Sequence, residues 1–239
     1  MKFDIFYIFE AIPMLLESFG YTVLVIIESI LLCFVLSIPI TAIRVKKIPV
    51  ISQFCEIWLS FIRSMPGILE LFIAYFVLPG LLQEIGIDVS HWPATVFVLI
   101  ALMFHYIPYL SEILRPAYLS VDRGQHEAAA AIGMTGFQTF WRIVAAQTLP
   151  VALPQLCNAA IDIVKDTSLL FTIGIIDLMG RAKLIITDTY GIHKMETYIA
   201  VAIFYWLLTA VVSYGFRLWE KHFRKYKLTT GIKLQGGEK

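Results

Sequence analysis

The chain has 239 residues, 59% of them apolar and 15% charged, with a mean hydropathy of +0.77; soluble domains use about 45–50% apolar residues, so the composition excludes a soluble protein and points to an integral membrane one. A formal net charge of +1 argues against nucleic acid as a partner. The three cysteines, Cys33, Cys55 and Cys157, stand far apart among apolar neighbours, the pattern of buried thiols rather than of a disulfide framework or a metal cluster.

The first residues carry Asp4, Glu10 and Glu17 and lack a basic start with a small-residue cleavage site, so no removable signal peptide is expected and the first span should act as its own insertion signal. A spanning helix needs about 20 mostly apolar residues. Tyr21 to Ile43 supplies that length with a single acid, Glu28, and ends at Arg44, Lys46 and Lys47, a cluster that marks a cytoplasmic end. Between Pro49 and Pro79 the chain is longer than one perpendicular span, and Arg63-Ser64-Met65-Pro66 interrupts it. The residue before a proline is pushed out of the helical region. The expectation is therefore a helix from Val50 to Ile62 lying obliquely near the interface, a break near Met65, and a second span from Gly67 to Leu78 and onward. Leu81 to Trp92 holds Glu84 and Asp88 but no Lys or Arg, as an external loop should. A third span follows from Pro93 to about Leu114, with His105 inside it and Glu112 and Arg115 at its end.

Arg123 to Pro154 is the one long polar-edged stretch between apolar ones. Gln125 to Ile132 is rich in helix formers, with four consecutive alanines, and Gly133 supplies a position where the backbone can turn. Such a short helix of small side chains suits insertion into a groove on a partner, with Glu127 in its first turn at the positive end of the helix dipole. His126-Glu127 begins like a zinc-protease HExxH, but Ala130 stands where the second histidine is needed, so that reading fails. Beyond it, Leu149 to about Ile176 reads as a fourth span carrying Asn158, Asp162, Lys165, Asp166, Thr167 and Ser168; Asp177 to Glu196 as a short re-entrant or surface element; and Tyr198 to Phe216 as a fifth span followed by a basic tail.

The charges favour one orientation. With the N-terminus outside, the cytoplasm receives thirteen basic residues, from Arg44 through the seven between Arg217 and Lys239, against Lys2, Arg181, Lys183 and Lys194 outside. No internal repeat and no low-complexity linker is present, so residues 1–239 read as a single all-α transmembrane domain of five helices, with 115–149 as a cytoplasmic loop.

Within that loop, Glu127-Ala128-Ala129, then three residues, Gly133, nine residues and Ile143 resemble the EAA loop of the membrane subunits of bacterial ABC importers. Arg123-Gly124-Gln125 before the triplet and Lys165-Asp166-Thr167-Ser168-Leu169 after it are similar to the polar amino acid permease branch (the histidine, glutamine, arginine and cystine importers), and the likeness covers roughly Arg44 to Met179. Two departures stand out: Ala145-Ala146 replaces the usual Leu-Pro pair, and Arg63-Ser64-Met65-Pro66 keeps only the Arg and Pro of an Arg-Gly-Thr-Pro motif. The resemblance implies a type I importer permease fold in the bacterial plasma (inner) membrane, a second permease subunit of the same or a homologous chain, a dimer of ATP-binding ABC subunits docking on Glu127, Ala128, Ala129, Gly133 and Ile143, and an extracytoplasmic solute-binding protein that delivers a polar amino acid. No G-x-x-x-x-G-K-[ST] phosphate loop is present, so the chain is expected to carry no cofactor and to be no enzyme, with ATP and Mg on the partner subunits.

Ionisable residues inside a span usually face a cavity or a partner. Asn158, Asp162 and Lys165 fall on one helix face, where Asp162 could take an ammonium and Asn158 could donate to a carboxylate; the alternative is an internal Asp162–Lys165 pair or a place in a dimer interface. Glu70 stands where the family commonly has Gln, either toward a substrate cation or as a partner of Arg63 two turns away. Glu28 and His105 read as packing or interhelical hydrogen bonds. These acids tilt the substrate toward one with more than one ammonium group. An ion- or proton-coupled secondary transporter using Asp162, Asp166 and Glu112 as a relay is the alternative; it would not need the EAA-like loop, and such carriers are commonly built on repeats. An intramembrane hydrolase lacks its motifs.

Overall fold

The computed structural model describes residues 3–227, and within them every regular element is a helix. Helix α1 (Ile5–Lys46) is followed by α2 (Ile51–Ser64), α3 (Gly67–Phe72), a π turn (Ile73–Val77) and α4 (Leu78–Glu84), then α5 (Ala94–Leu119). The loop region carries α6 (Arg123–Ala131) and α7 (Gly136–Thr139), and a second π turn (Phe140–Val144) leads into α8 (Ala145–Asp166). A 3-10 turn (Thr167–Ile173), α9 (Leu178–Asp188) and α10 (Lys194–Lys227) complete the described chain.

Four of these are long and apolar enough to cross a membrane: α1, the continuous run Gly67–Glu84, α5, and α10 over Lys194–Phe223. The break at Met65 is present, with Met65 extended (φ −109°, ψ 136°) ahead of Pro66. The expected fourth span differs. Its helix stops at Asp166, the chain tightens into the 3-10 turn and leaves it through Gly174 at φ 82°, and α8, with Gln147, Gln155, Asn158 and Asp162 along it, is not among the long apolar helices. The first span also differs, since α1 begins at Ile5 and not near Tyr21. Of the basic residues used to orient the chain, Lys2, Lys233 and Lys239 lie outside the described residues.

Packing explains why α1 runs so far. Its buried residues Ile8, Ala11, Leu15, Ser18, Thr22, Val25, Ser29, Cys33, Ser37, Thr41 and Arg44 each follow the last by three or four positions, with Ile26 buried beside Val25. That is a single stripe along the helix, narrowed by small and hydroxyl side chains that let a neighbour approach closely. Two cores form along it. The larger joins Val25 and Cys33 of α1 to Leu71 and Ala74, to Val98, Tyr106 and Leu110 of α5, and to Leu156, Ala159 and Ile163 of α8. The smaller joins Ile8, Ala11 and Leu15 to Leu178 and Ala182 of α9 and to Ala200 and Phe204 of α10. Cys33 and Cys55 are buried free thiols and Cys157 is half-buried.

At the junction with α9, the Leu178 amide donates to the Thr22 hydroxyl (2.9 Å), and the Asp177 carboxylate caps α9 by accepting from the Gly180 amide at 2.8 Å. A side chain at Gly180 would stand 2.4 Å from the Ile175 carbonyl oxygen, so only glycine fits there.

Candidate functional site

The loop between α5 and α8 is built by caps. Asp122 precedes α6 and its carboxylate accepts from the Gly124 amide; Gly133, at φ +78°, turns the chain after it, with the Gly133 amide donating to the Ala130 carbonyl and the Met134 amide to the Ala129 carbonyl, both at 3.0 Å. This double bond pattern is a Schellman cap, which needs the left-handed conformation that glycine reaches without strain. Thr135 and Gln138 then bond reciprocally as a capping box that starts α7. The loop proper is shorter than 115–149, since α5 runs on to Leu119 and α8 begins at Ala145.

Helix α6 begins at Arg123, two residues earlier than expected, because Asp122 and not a later residue caps it. Glu127 is therefore in the second turn, away from the strongest part of the dipole, and it is exposed. Ala128 and Gly133 are exposed too, Ala129 is buried under the helix, and Ile143 is half-buried within the π turn. Ile132 and Phe137, beside Gly133, are 77% and 74% exposed, so the loop presents a small polar-apolar knob left open by the described residues.

One ion cluster anchors this loop. The Arg44 guanidinium, 3% exposed, donates to Glu56 (3.0 Å), to Glu112 (2.7 Å) and to the Ser111 hydroxyl (3.1 Å), joining the end of α1 to α2 and to the last turns of α5. Sequence reading took Arg44 only as a topology marker; its place on the buried stripe of α1, three residues after Thr41, is the signal that would have found it.

The candidate substrate residues separate into two sets. Lys165 and Asp162 pair with each other at 2.9 Å on an open face of α8, which Asn158 and Gln155 share. Glu70 and Asp166 lie on the other side, inside the protomer. The Glu70 carboxylate, 4% exposed, bonds His105 Nδ1 at 2.9 Å through Oε2, and its Oε1 has no partner among the described residues. Next to it the Tyr106 hydroxyl donates to Asp166 at 2.7 Å. A cavity of about 20 Å³ lies among Glu70, His105 and Asp166, enough for one water-sized group. The proposed Arg63–Glu70 pair does not form: the extended residues at Met65 and Pro66 end the helical register that would have aligned them, and Arg63 is exposed. His105 and Glu70 thus make the interhelical bond that sequence assigned to His105 alone. Glu28 is half-buried.

A bundle of apolar helices with polar side chains held inside it, and an exposed helix-turn-helix knob tied to their ends, defines a membrane transport subunit that works with other chains. The particular family follows from comparison: residues 4–225 match the model of "Binding-protein-dependent transport system inner membrane component", and the chain belongs to that family. It is 35% identical over 223 residues to the L-cystine transport system permease protein TcyL of Bacillus subtilis, covering 93% of this chain and 92% of that protein. It is 29% identical to the glutamine transport system permease protein GlnP of Escherichia coli, covering 94% of this chain and 99% of that protein. Among solved structures it resembles an amino acid ABC transporter determined with histidines, at a TM-score of 0.76 and 25% identity over 93% of this chain and 100% of that one.

Proposed function

We propose that this chain is the inner-membrane permease subunit of an ATP-driven importer of polar amino acids. The observation that carries the reading is the capped, uncovered knob from Asp122 to Val144, which a membrane-embedded carrier of the secondary type would have no use for, in a chain whose relatives are named as amino acid permeases. Two ATPase subunits dock on that knob and hydrolyse ATP, a second permease completes the path, and an external binding protein delivers the solute. The termini lie as the basic residues indicate, N-terminus outside and C-terminus in the cytoplasm, with α8 as the fifth crossing: its 22 residues rise about 33 Å, close to the roughly 30 Å of hydrocarbon.

The polar face of α8, with Asn158, Asp162 and Lys165, lines the path. Glu70, on the other side of α8 with room beside it for one water, lies off this path, so Asp162 is the acid placed to take the ammonium of an amino acid substrate. The test is uptake into proteoliposomes holding the permease, its co-expressed ATPase and its binding protein, using a panel of labelled amino acids. ATP-dependent accumulation of one class is expected. Accumulation without ATP that follows an imposed proton gradient would overturn the reading.

A further inference from the structure

A cavity of about 720 Å³ lies at the root of the knob, walled on one side by the knob's own inner residues and on the other by α1. Its walls come from α1, the ends of α5 and α6, and the elbow where the second π turn enters α8, with Phe34 at one end and Lys46 and His126 at the other. Twelve residues of α1 separate Phe34 from Lys46, a rise of about 18 Å, against roughly 15 Å for half of a bilayer's hydrocarbon core. The walls are almost wholly apolar. One exception is the Thr148 hydroxyl, in a residue only 8% exposed, which has no hydrogen-bond partner.

These features select the occupant. An extended peptide entering to this depth would carry backbone groups that the apolar walls cannot satisfy, whereas a hydrocarbon tail carries none. A cavity of about 150 Å³ holds one benzene, so this one has room for some thirty carbon atoms by the same measure, about the two tails of one phospholipid. At the mouth Lys46 is exposed beside Lys47, and an ammonium pair at a membrane surface attracts an anionic headgroup.

We infer that this cavity is a lipid site, taking the tails of one anionic phospholipid with its phosphate at Lys46. The inference rests on the proposed membrane placement, in which Lys46 lies at the cytoplasmic surface, and does not depend on which solute is carried. The lipid would fill the gap between α1 and the elbow of α8, directly behind the docking knob.

The test is native mass spectrometry of the intact complex with its ATPase, taken from nanodiscs of equal phosphatidylglycerol and phosphatidylcholine. The expected result is one retained phosphatidylglycerol per permease, about tenfold less with Ala42→Trp, which fills the cavity from its wall, and a lost preference over phosphatidylcholine with Lys46→Glu. Equal retention by all three proteins would mean surface lipid only and overturn the site. So would a crosslink from Ala42→Cys to a second permease, the ATPase or the chain's own last residues, since the cavity would then hold protein. Lipid retention is read as mass, so a failure of ATP-dependent uptake would count against the importer reading alone.

Discussion

Two faces of α8 have opposite fates. One packs Leu156, Ala159, Ala160 and Ile163 into the bundle and ends in Asp166, whose carboxylate receives the Tyr106 hydroxyl. The other carries Gln155, Asn158, Asp162 and Lys165, and its charged groups are joined by the helix's own Asp162–Lys165 pair. A charged residue facing lipid at the bilayer centre costs roughly 2.5–3.5 kcal/mol on insertion scales. The protomer is thus finished where α8 meets α1 and α5, and unfinished on the opposite side, where water, solute or a second subunit has to complete it.

Four substitutions sharpen that contrast, taken from the largest effect down. Arg44→Met removes an ion cluster completed within the protomer and leaves Glu56 and Glu112 without their cation; a loss of about 3 kcal/mol, seen as a lower thermal midpoint in detergent, is expected. Gly133→Val forces a β-branched residue to φ +78°, at about 2 kcal/mol, and because open space surrounds the position the damage is to the turn itself. The permease should stay folded by size-exclusion chromatography and lose its ATPase on co-purification. Tyr106→Phe takes one hydrogen bond from the half-buried Asp166 and should cost about 1.5 kcal/mol. Lys165→Met, on the open face, should change stability by about 0.5 kcal/mol or less while uptake falls about tenfold. If Lys165→Met instead destabilised the protein as much as Arg44→Met, the two faces would not differ and the path would have to be sought elsewhere.

Much of this was legible in the residues, and the misses share a cause. The break at Met65, the start of α5 after Pro93 and the turn at Gly133 are local events that proline and glycine impose on their own neighbours, so they could be read directly. The segment from Ile5 to Gly20 was not, because Glu10, Pro13 and Glu17 look like interruptions; in the fold all three are exposed, and the stripe through Ala11, Leu15, Ser18 and Thr22 continues past them. The site residues divide the same way. The Asp162–Lys165 pair follows from a spacing of three on one helix, whereas Glu70 with His105, Tyr106 with Asp166 and Arg44 with Glu112 join helices far apart in sequence, and no spacing encodes which acid meets which base.

Helix α1 is 42 residues long, about 63 Å, roughly twice the hydrocarbon thickness of a bilayer. Its two ends are moored to different parts of the machine: the Asp4 amide to Glu196 at the head of α10, and Arg44 to the base of the docking knob. Pro13 and Pro39 give it two joints. A helix so moored couples the last turns of α5 to the start of α10 along the whole length of the bundle, and its prolines leave it room to bend between the two moorings.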